Sequence, residues 1–136
     1  MNNNYKETVL VVDDEVDILE AIERTLKLES IDTICFSDSE EAFAELRRNS
    51  YKTVITDIQM PNLSGTELIK MIKSLSPLCE VIVITGHTDI NYLIKCFEAG
   101  CTDYFKKPLH DTDAFVKSIQ FLIQKHQRWL SKDGLL

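Results

Sequence analysis

Short runs of consecutive apolar residues alternate along the chain with longer segments of helical periodicity. The clearest runs are 9–12, Val-Leu-Val-Val, and 81–84, Val-Ile-Val-Ile, and residues 54–55 form a shorter one. Residues 31–36 and 104–105 are weaker candidates. Continuous β-branched runs are typical of strands that are buried on both faces, as in parallel sheets. The pattern therefore predicts five strands.

Apolar residues are spaced three and four positions apart in the segments between these runs. The segment that follows the last run has the same spacing. This spacing predicts an amphipathic helix in each case. The five stripes are Ile18, Leu19, Ile22 and Leu26; Ala42, Phe43 and Leu46; Leu68, Ile69, Ile72 and Leu75; Ile90, Leu93, Ile94 and Phe97; and Phe115, Ile119, Leu122 and Ile123.

Strand and helix thus alternate about five times, without a linker, repeat or low-complexity tract between them. This order predicts an α/β fold, a doubly wound five-stranded parallel sheet with helices on both faces, in one domain over residues 1–136. Capping boxes are expected at Ser37-x-x-Glu40 and at Ser64-x-x-Glu67, and Gly100 is expected to end the fourth helix.

Composition and charge exclude several classes of function. The chain has 22 acidic and 15 basic side chains, a formal net charge of −7, and such a field repels nucleic-acid backbones. The four cysteines lack zinc-site spacing and are expected to be thiols in a reducing cytosol. No signal peptide or membrane-spanning stretch is evident, so we expect a cytoplasmic protein without membrane contact.

Polar residues follow four of the predicted strands at the point where each strand ends. Asp13 and Asp14 follow the first strand, Asp57 the third, Thr85 the fourth and Lys107 the fifth. In a parallel sheet these ends share one edge, where open α/β sheets bind ligands. Singly, each residue has an ordinary explanation, such as a helix cap or a surface charge. Jointly they predict a site.

The predicted site combines carboxylates with a lysine and a hydroxyl group. Clustered carboxylates repel one another, and a hard divalent cation with oxygen ligands relieves the repulsion, which favours Mg²⁺ or Mn²⁺. Lys107 and Thr85 suit phosphate oxygens. The Asp57 carboxylate can attack phosphorus and form an acyl phosphate without a general base.

Four stretches, taken together, resemble the receiver domains of bacterial response regulators over residues 7–124. They match the family's acidic pair, phosphoacceptor loop, switch hydroxyl and lysine-proline stretch, in that order. The stretches are 11–15 (Val-Val-Asp-Asp-Glu), 57–65 (Asp-Ile-Gln-Met-Pro-Asn-Leu-Ser-Gly), 85–87 (Thr-Gly-His) and 99–108 (Ala-Gly-Cys-Thr-Asp-Tyr-Phe-Lys-Lys-Pro).

The resemblance implies a phosphoacceptor role for Asp57. Asp14 and Asp57 would bind Mg²⁺ through their carboxylates, Gln59 through its backbone carbonyl, and Asp13 mainly through water. Thr85 and Lys107 would hold phosphate oxygens. It also implies the flavodoxin-like strand order 2-1-3-4-5.

Further roles follow from the same resemblance. Tyr104 would be the switch aromatic, and the Lys107–Pro108 peptide bond would be cis. Gln59 and His87 would tune the rate of hydrolysis, although both can equally be solvated loop residues.

The implied function is two-component signal transduction. A histidine kinase or phosphotransfer protein would supply the phosphoryl group. An output domain or partner would respond to the face formed by the fourth helix, fifth strand and fifth helix. Apart from its own phosphorylation and slow autodephosphorylation, the protein would not be an enzyme.

Two other functions are compatible with this fold. An unphosphorylated docking module lacks the acids or the lysine, and both are present here. Hydrolases with an aspartyl nucleophile carry Asp-x-Asp after the first strand, where this chain has Asp13-Asp14.

The last apolar stripe continues beyond the expected core. It runs through Phe115, Ile119, Leu122, His126 and Trp129, so we divide the chain into a core at 7–124 and a helical extension at 125–136. The extension either folds back with Trp129 capping the core, or forms a two-stranded seam with a second copy.

Overall fold

The computed structural model describes residues 5–61, 63–86 and 89–131, and these residues form seven strands and five helices. Every strand and helix that the sequence predicts is present. In chain order the elements are β1 (Thr8–Val12), α1 (Val16–Lys27), β2 (Asp32–Phe36), α2 (Ser39–Arg48), β3 (Thr53–Thr56), β4 (Gln59–Met60), β5 (Leu63–Ser64), α3 (Gly65–Leu75), β6 (Glu80–Thr85), α4 (Ile90–Ala99), β7 (Asp103–Lys106) and α5 (Thr112–Leu130).

Five of the strands form one parallel sheet in the order β2-β1-β3-β6-β7. Strands β4 and β5 form a separate antiparallel hairpin. When the hairpin is left out of the numbering, the order is 2-1-3-4-5. The predicted fold class, a doubly wound parallel sheet, is therefore confirmed.

Alternate residues of the central strands enter two different cores. Val9 and Val11 of β1 pack with α1 and α5, whereas Leu10 and Val12 pack with α2, α3 and α4. Side chains alternate between the faces of a sheet, and both faces of β1 are covered. This double burial explains why the strand is apolar at consecutive positions.

Two of the three predicted helix caps are confirmed, and one is wrong. Ser64 caps α3 by accepting the Glu67 N–H at 3.3 Å, and Gly100 ends α4 with a left-handed φ of 115°. Ser37 does not cap α2. Asp38 does so instead, with its carboxylate accepting the Glu40 N–H at 3.0 Å. Asp38 stands directly before the first helical residue with an extended backbone, from which its side chain reaches the N–H two residues further on.

Helix α5 packs its apolar stripe against its own domain. Phe115, Ile119, Leu122 and His126 are all buried, and Trp129 is half-buried beside His126. The contacts of these residues favour the folded-back arrangement over a free seam. Among the residues that the structure describes, no helix has both the length and the apolar character that crossing a bilayer requires.

Candidate functional site

Backbone hydrogen bonds continue past the ends of the strands and align the polar residues that follow them. The Asp13 N–H donates to the Phe36 carbonyl at 3.1 Å, and the Asp57 N–H donates to the Val12 carbonyl at 3.1 Å. On the other side of β3, the Lys107 N–H donates to the Thr85 carbonyl at 2.8 Å. Residues far apart in sequence thus meet at the carboxyl edge of the sheet, as expected for a parallel fold.

Lys107 lies at the centre of this edge and contacts three carboxylates. Its Nζ is 2.7 Å from Asp57 Oδ2, 2.8 Å from Asp13 Oδ2 and 3.2 Å from Glu15 Oε1. Burial alone would lower the pKa of Lys107, but hydrogen bonds to Asp13 and Asp57 outweigh it and raise the pKa above its ordinary value. Lys107 therefore remains a cation at neutral pH.

The carboxylates at this edge outnumber the cations that neutralise them. Oxygens of Asp13, Asp14, Glu15 and Asp57 lie within 4.8 Å of one another. Burial raises the pKa of Asp13, and the charge of Asp57 raises it further, against the opposing effect of Lys107. The donor atoms are all oxygens, which is the set that a hard divalent cation prefers. These residues therefore fit Mg²⁺ or Mn²⁺.

The loop after β3 is held by the side chain of Asp57. Asp57 Oδ1 accepts the Gln59 N–H at 3.0 Å, while its other oxygen faces Lys107. Thr85 is fully buried, and its hydroxyl donates to Gln59 Oε1 at 3.5 Å. Gln59 itself is exposed, so this contact joins the buried Thr85 hydroxyl to an exposed side chain.

Gly65 ends this loop in a position that has no space for a side chain. A Cβ built on Gly65 would lie 2.1 Å from Ile58 Cβ, a distance that real Cβ atoms do not reach. The close approach brings the two ends of the β4–β5 hairpin together, and the loop at 57–65 closes on itself.

We expect Gly65→Ala to lower the free energy of unfolding by about 2 kcal/mol, because the added methyl group overpacks against Ile58. Gly86→Ala is the matched control, since nothing lies within 4 Å of a Cβ built there. Urea unfolding of the two variants checks this. Equal stabilities for the two variants would contradict it.

The remaining predicted residues lie around this centre. Tyr104 is half-buried and packs against the core on the α2–α4 side, and burial raises the pKa of its hydroxyl. The Lys107–Pro108 peptide bond is cis. His87 lies outside the described residues.

Glu15 also belongs to this cluster, and no role was predicted for it from the sequence. Its position directly after Asp14 is the sequence feature that could have indicated a place in the cluster. Its contact with Lys107, 92 positions along the chain, depends on the fold. Two further hydrogen bonds were also missed, from Gly65 to Tyr92 and from Thr53 to Glu7.

Fold and site together define a receiver-type α/β domain, with an acidic cluster and a lysine at the carboxyl edge of its sheet. The profile of the response regulator receiver domain matches residues 9–120. The chain therefore belongs to the response regulator receiver domain family.

Known proteins support the same assignment. The transcriptional regulator NtrC of Salmonella typhimurium is 32% identical over 119 residues, which are 88% of this chain and 25% of NtrC. A receiver domain from Clostridium thermocellum is 32% identical with a TM-score of 0.80, covering 89% of this chain and 97% of that one. The beryllofluoride-activated NtrC4 receiver domain dimer is 28% identical with a TM-score of 0.81, and the match covers 88% of this chain and 98% of that one.

Proposed function

We propose that this receiver accepts a phosphoryl group on Asp57. The contact of Asp57 Oδ2 with Lys107 Nζ at 2.7 Å, beside three further acids, is the observation that carries the proposal. Asp57 is 3% exposed, so the carboxylate is held at the floor of the site rather than in open solvent. An ionised carboxylate in this position attacks phosphorus directly.

The cation would lie on the acidic side of Asp57. Asp14 and Asp57 would hold it through carboxylates, Gln59 through its backbone carbonyl, and Asp13 mainly through water. Such an ion supplies positive charge that a single lysine cannot provide. Lys107 would bind one phosphoryl oxygen and the Thr85 hydroxyl another, so that charge is neutralised from both sides.

Phosphorylation would act as a switch between two packings. In this proposal Thr85 turns from Gln59 toward the phosphoryl group and Tyr104 takes the space it leaves. The face formed by α4, β7 and α5 would then change. Ile90, Ile94 and Phe97 of α4 are exposed on consecutive turns, which supports this face as the contact for an output domain or partner, including a second copy.

The domain would act in two-component signal transduction. A histidine kinase or phosphotransfer protein in the cytoplasm would supply the phosphoryl group. The chain spans a quarter of the length of NtrC, so an output activity would belong to another domain or protein. Its net charge of −7 supports a role without direct nucleic-acid contact. No catalysis beyond self-phosphorylation and slow autodephosphorylation is proposed, and Gln59 and His87 would set the rate of the latter.

Incubation with phosphoramidate or acetyl phosphate tests the proposal. We expect a single phosphoryl adduct by intact mass in the presence of Mg²⁺, and none in excess chelator. Asp57→Asn should abolish the adduct, and Asp32→Asn is the control, since Asp32 begins β2 at the edge of the sheet opposite to Asp57. An undiminished adduct in Asp57→Asn, or full labelling without a divalent cation, would refute the assignment.

A further inference from the structure

Helix α4 is tied to the phosphoacceptor loop by one tyrosine. The backbone N–H of Gly65, the first residue of α3, donates to the hydroxyl oxygen of Tyr92 at 3.2 Å. The first amides of a helix have no partner within the helix and need one from outside. Tyr92 provides that partner from the first turn of α4, a helix that packs directly against α3.

Three contacts close the loop that Gly65 ends. Asp57 Oδ1 holds the Gln59 N–H, Gln59 pairs with Ser64 in the β4–β5 hairpin, and Gly65 lies against Ile58 without space for a Cβ. A displacement at Asp57 therefore reaches Gly65 through a short and rigid path.

We propose that Tyr92 couples the phosphoacceptor loop to α4, so that α4 follows changes at Asp57. This inference rests on the proposed function of Asp57. The hydrogen bond between Gly65 and Tyr92 is a second link between the site and α4, in addition to the chain segment that joins Thr85 to α4. The Tyr92 ring packs against the core on the α2–α4 side, so Tyr92→Phe removes the hydroxyl and keeps the apolar contact.

Beryllofluoride with Mg²⁺, followed by amide NMR, measures the coupling. In the parent, we expect shifts both at residues 57–60 and along Ile90–Ala99. In Tyr92→Phe, the ratio of the α4 shifts to the loop shifts should fall by about twofold, as expected for loss of one hydrogen bond. A uniform loss of stability would not change this ratio.

Tyr51→Phe is the matched control. The Tyr51 hydroxyl donates to Glu45 at the opposite edge of the sheet, so its removal should leave the ratio unchanged. If Tyr92→Phe responds to beryllofluoride with the same ratio of α4 shifts to loop shifts as the parent, the coupling through Tyr92 is overturned and the proposed function of Asp57 is not. No response to beryllofluoride in the parent overturns the proposed function together with this inference. A lower ratio in Tyr92→Phe, with the parent ratio in Tyr51→Phe, supports it.

Discussion

Lys107→Met should lower the free energy of unfolding by roughly 3 kcal/mol at neutral pH, since removing one partner of a buried charge cluster leaves the others uncompensated. The lysine side chain is 10% exposed, and the Asp13 and Asp57 side chains it contacts are 1% and 3% exposed. Methionine keeps most of the aliphatic stem, so the loss reports the charge rather than the packing. Chemical unfolding without divalent cations measures it.

Lys106→Met is the matched control, because Lys106 is the exposed neighbour of Lys107 on the same strand end. We expect its stability to stay within about 0.5 kcal/mol of the parent. Mg²⁺ should stabilise Lys107→Met more than it stabilises the parent, since a bound cation replaces part of the missing charge. Equal stabilities for the two lysine variants would show that Asp13 and Asp57 do not depend on Lys107.

The sequence predicted the parts of this site that depend on topology. Once alternating strands and helices indicate a parallel sheet, the residues after each strand must share one edge. Asp13, Asp57, Thr85 and Lys107 could therefore be grouped without coordinates. The strand order needed the family resemblance, because periodicity says which residues form strands and not which strands are neighbours.

Contacts between residues that lie away from the strand ends could not be predicted in this way. The hairpin at Gln59–Met60 and Leu63–Ser64 is too short to show an alternating pattern. Asp38 competes with Ser37 for the same helix start, and only the backbone conformation decides between them. The bond between Gly65 and Tyr92 joins two helices whose relative position depends on the packing of the whole core.

The packing of the end of α5 could not be predicted from the sequence either. The spacing of Phe115, Leu122 and His126 fits both a self-packed helix and a helical seam. The structure adds a partner that the sequence did not indicate, because Glu7 contacts His126 across 119 positions. Lys125 also pairs with Glu80 at 3.0 Å and lies over the Trp129 ring at 5.0 Å. These contacts hold the last turns of α5 against the sheet.

Glu7 is the centre of a buried polar network at the edge opposite to Asp57. Its carboxylate accepts from Tyr5 at 2.6 Å and from Thr53 at 2.8 Å, and it lies 3.0 Å from His126 Nδ1. A carboxylate only accepts, so His126 Nδ1 must carry the hydrogen. Burial alone would raise the pKa of Glu7, but the hydrogen bonds from His126, Tyr5 and Thr53 outweigh it and hold the pKa below 4.5.

Glu7→Gln should lower the free energy of unfolding by about 2 to 3 kcal/mol at neutral pH, because the amide group cannot accept all three hydrogen bonds. The folded pKa of Glu7 lies below its unfolded value, so its contribution is present above pH 4.5 and is lost as the pH falls through the folded pKa. The difference in stability between the parent and Glu7→Gln should therefore shrink on acidification. Urea unfolding at neutral and acidic pH measures both effects.

Glu20→Gln, at an exposed position of α1, is the control and should be neutral within about 0.5 kcal/mol. A double-mutant cycle with His126→Phe separates the contact itself from the packing of the ring. We expect a coupling of about 1 kcal/mol or more between Glu7 and His126, since the two side chains touch and are both buried. Additive effects of the two substitutions would mean that only apolar contacts anchor the end of α5. The last turns of α5 could then leave the sheet and bind a partner at little cost in stability.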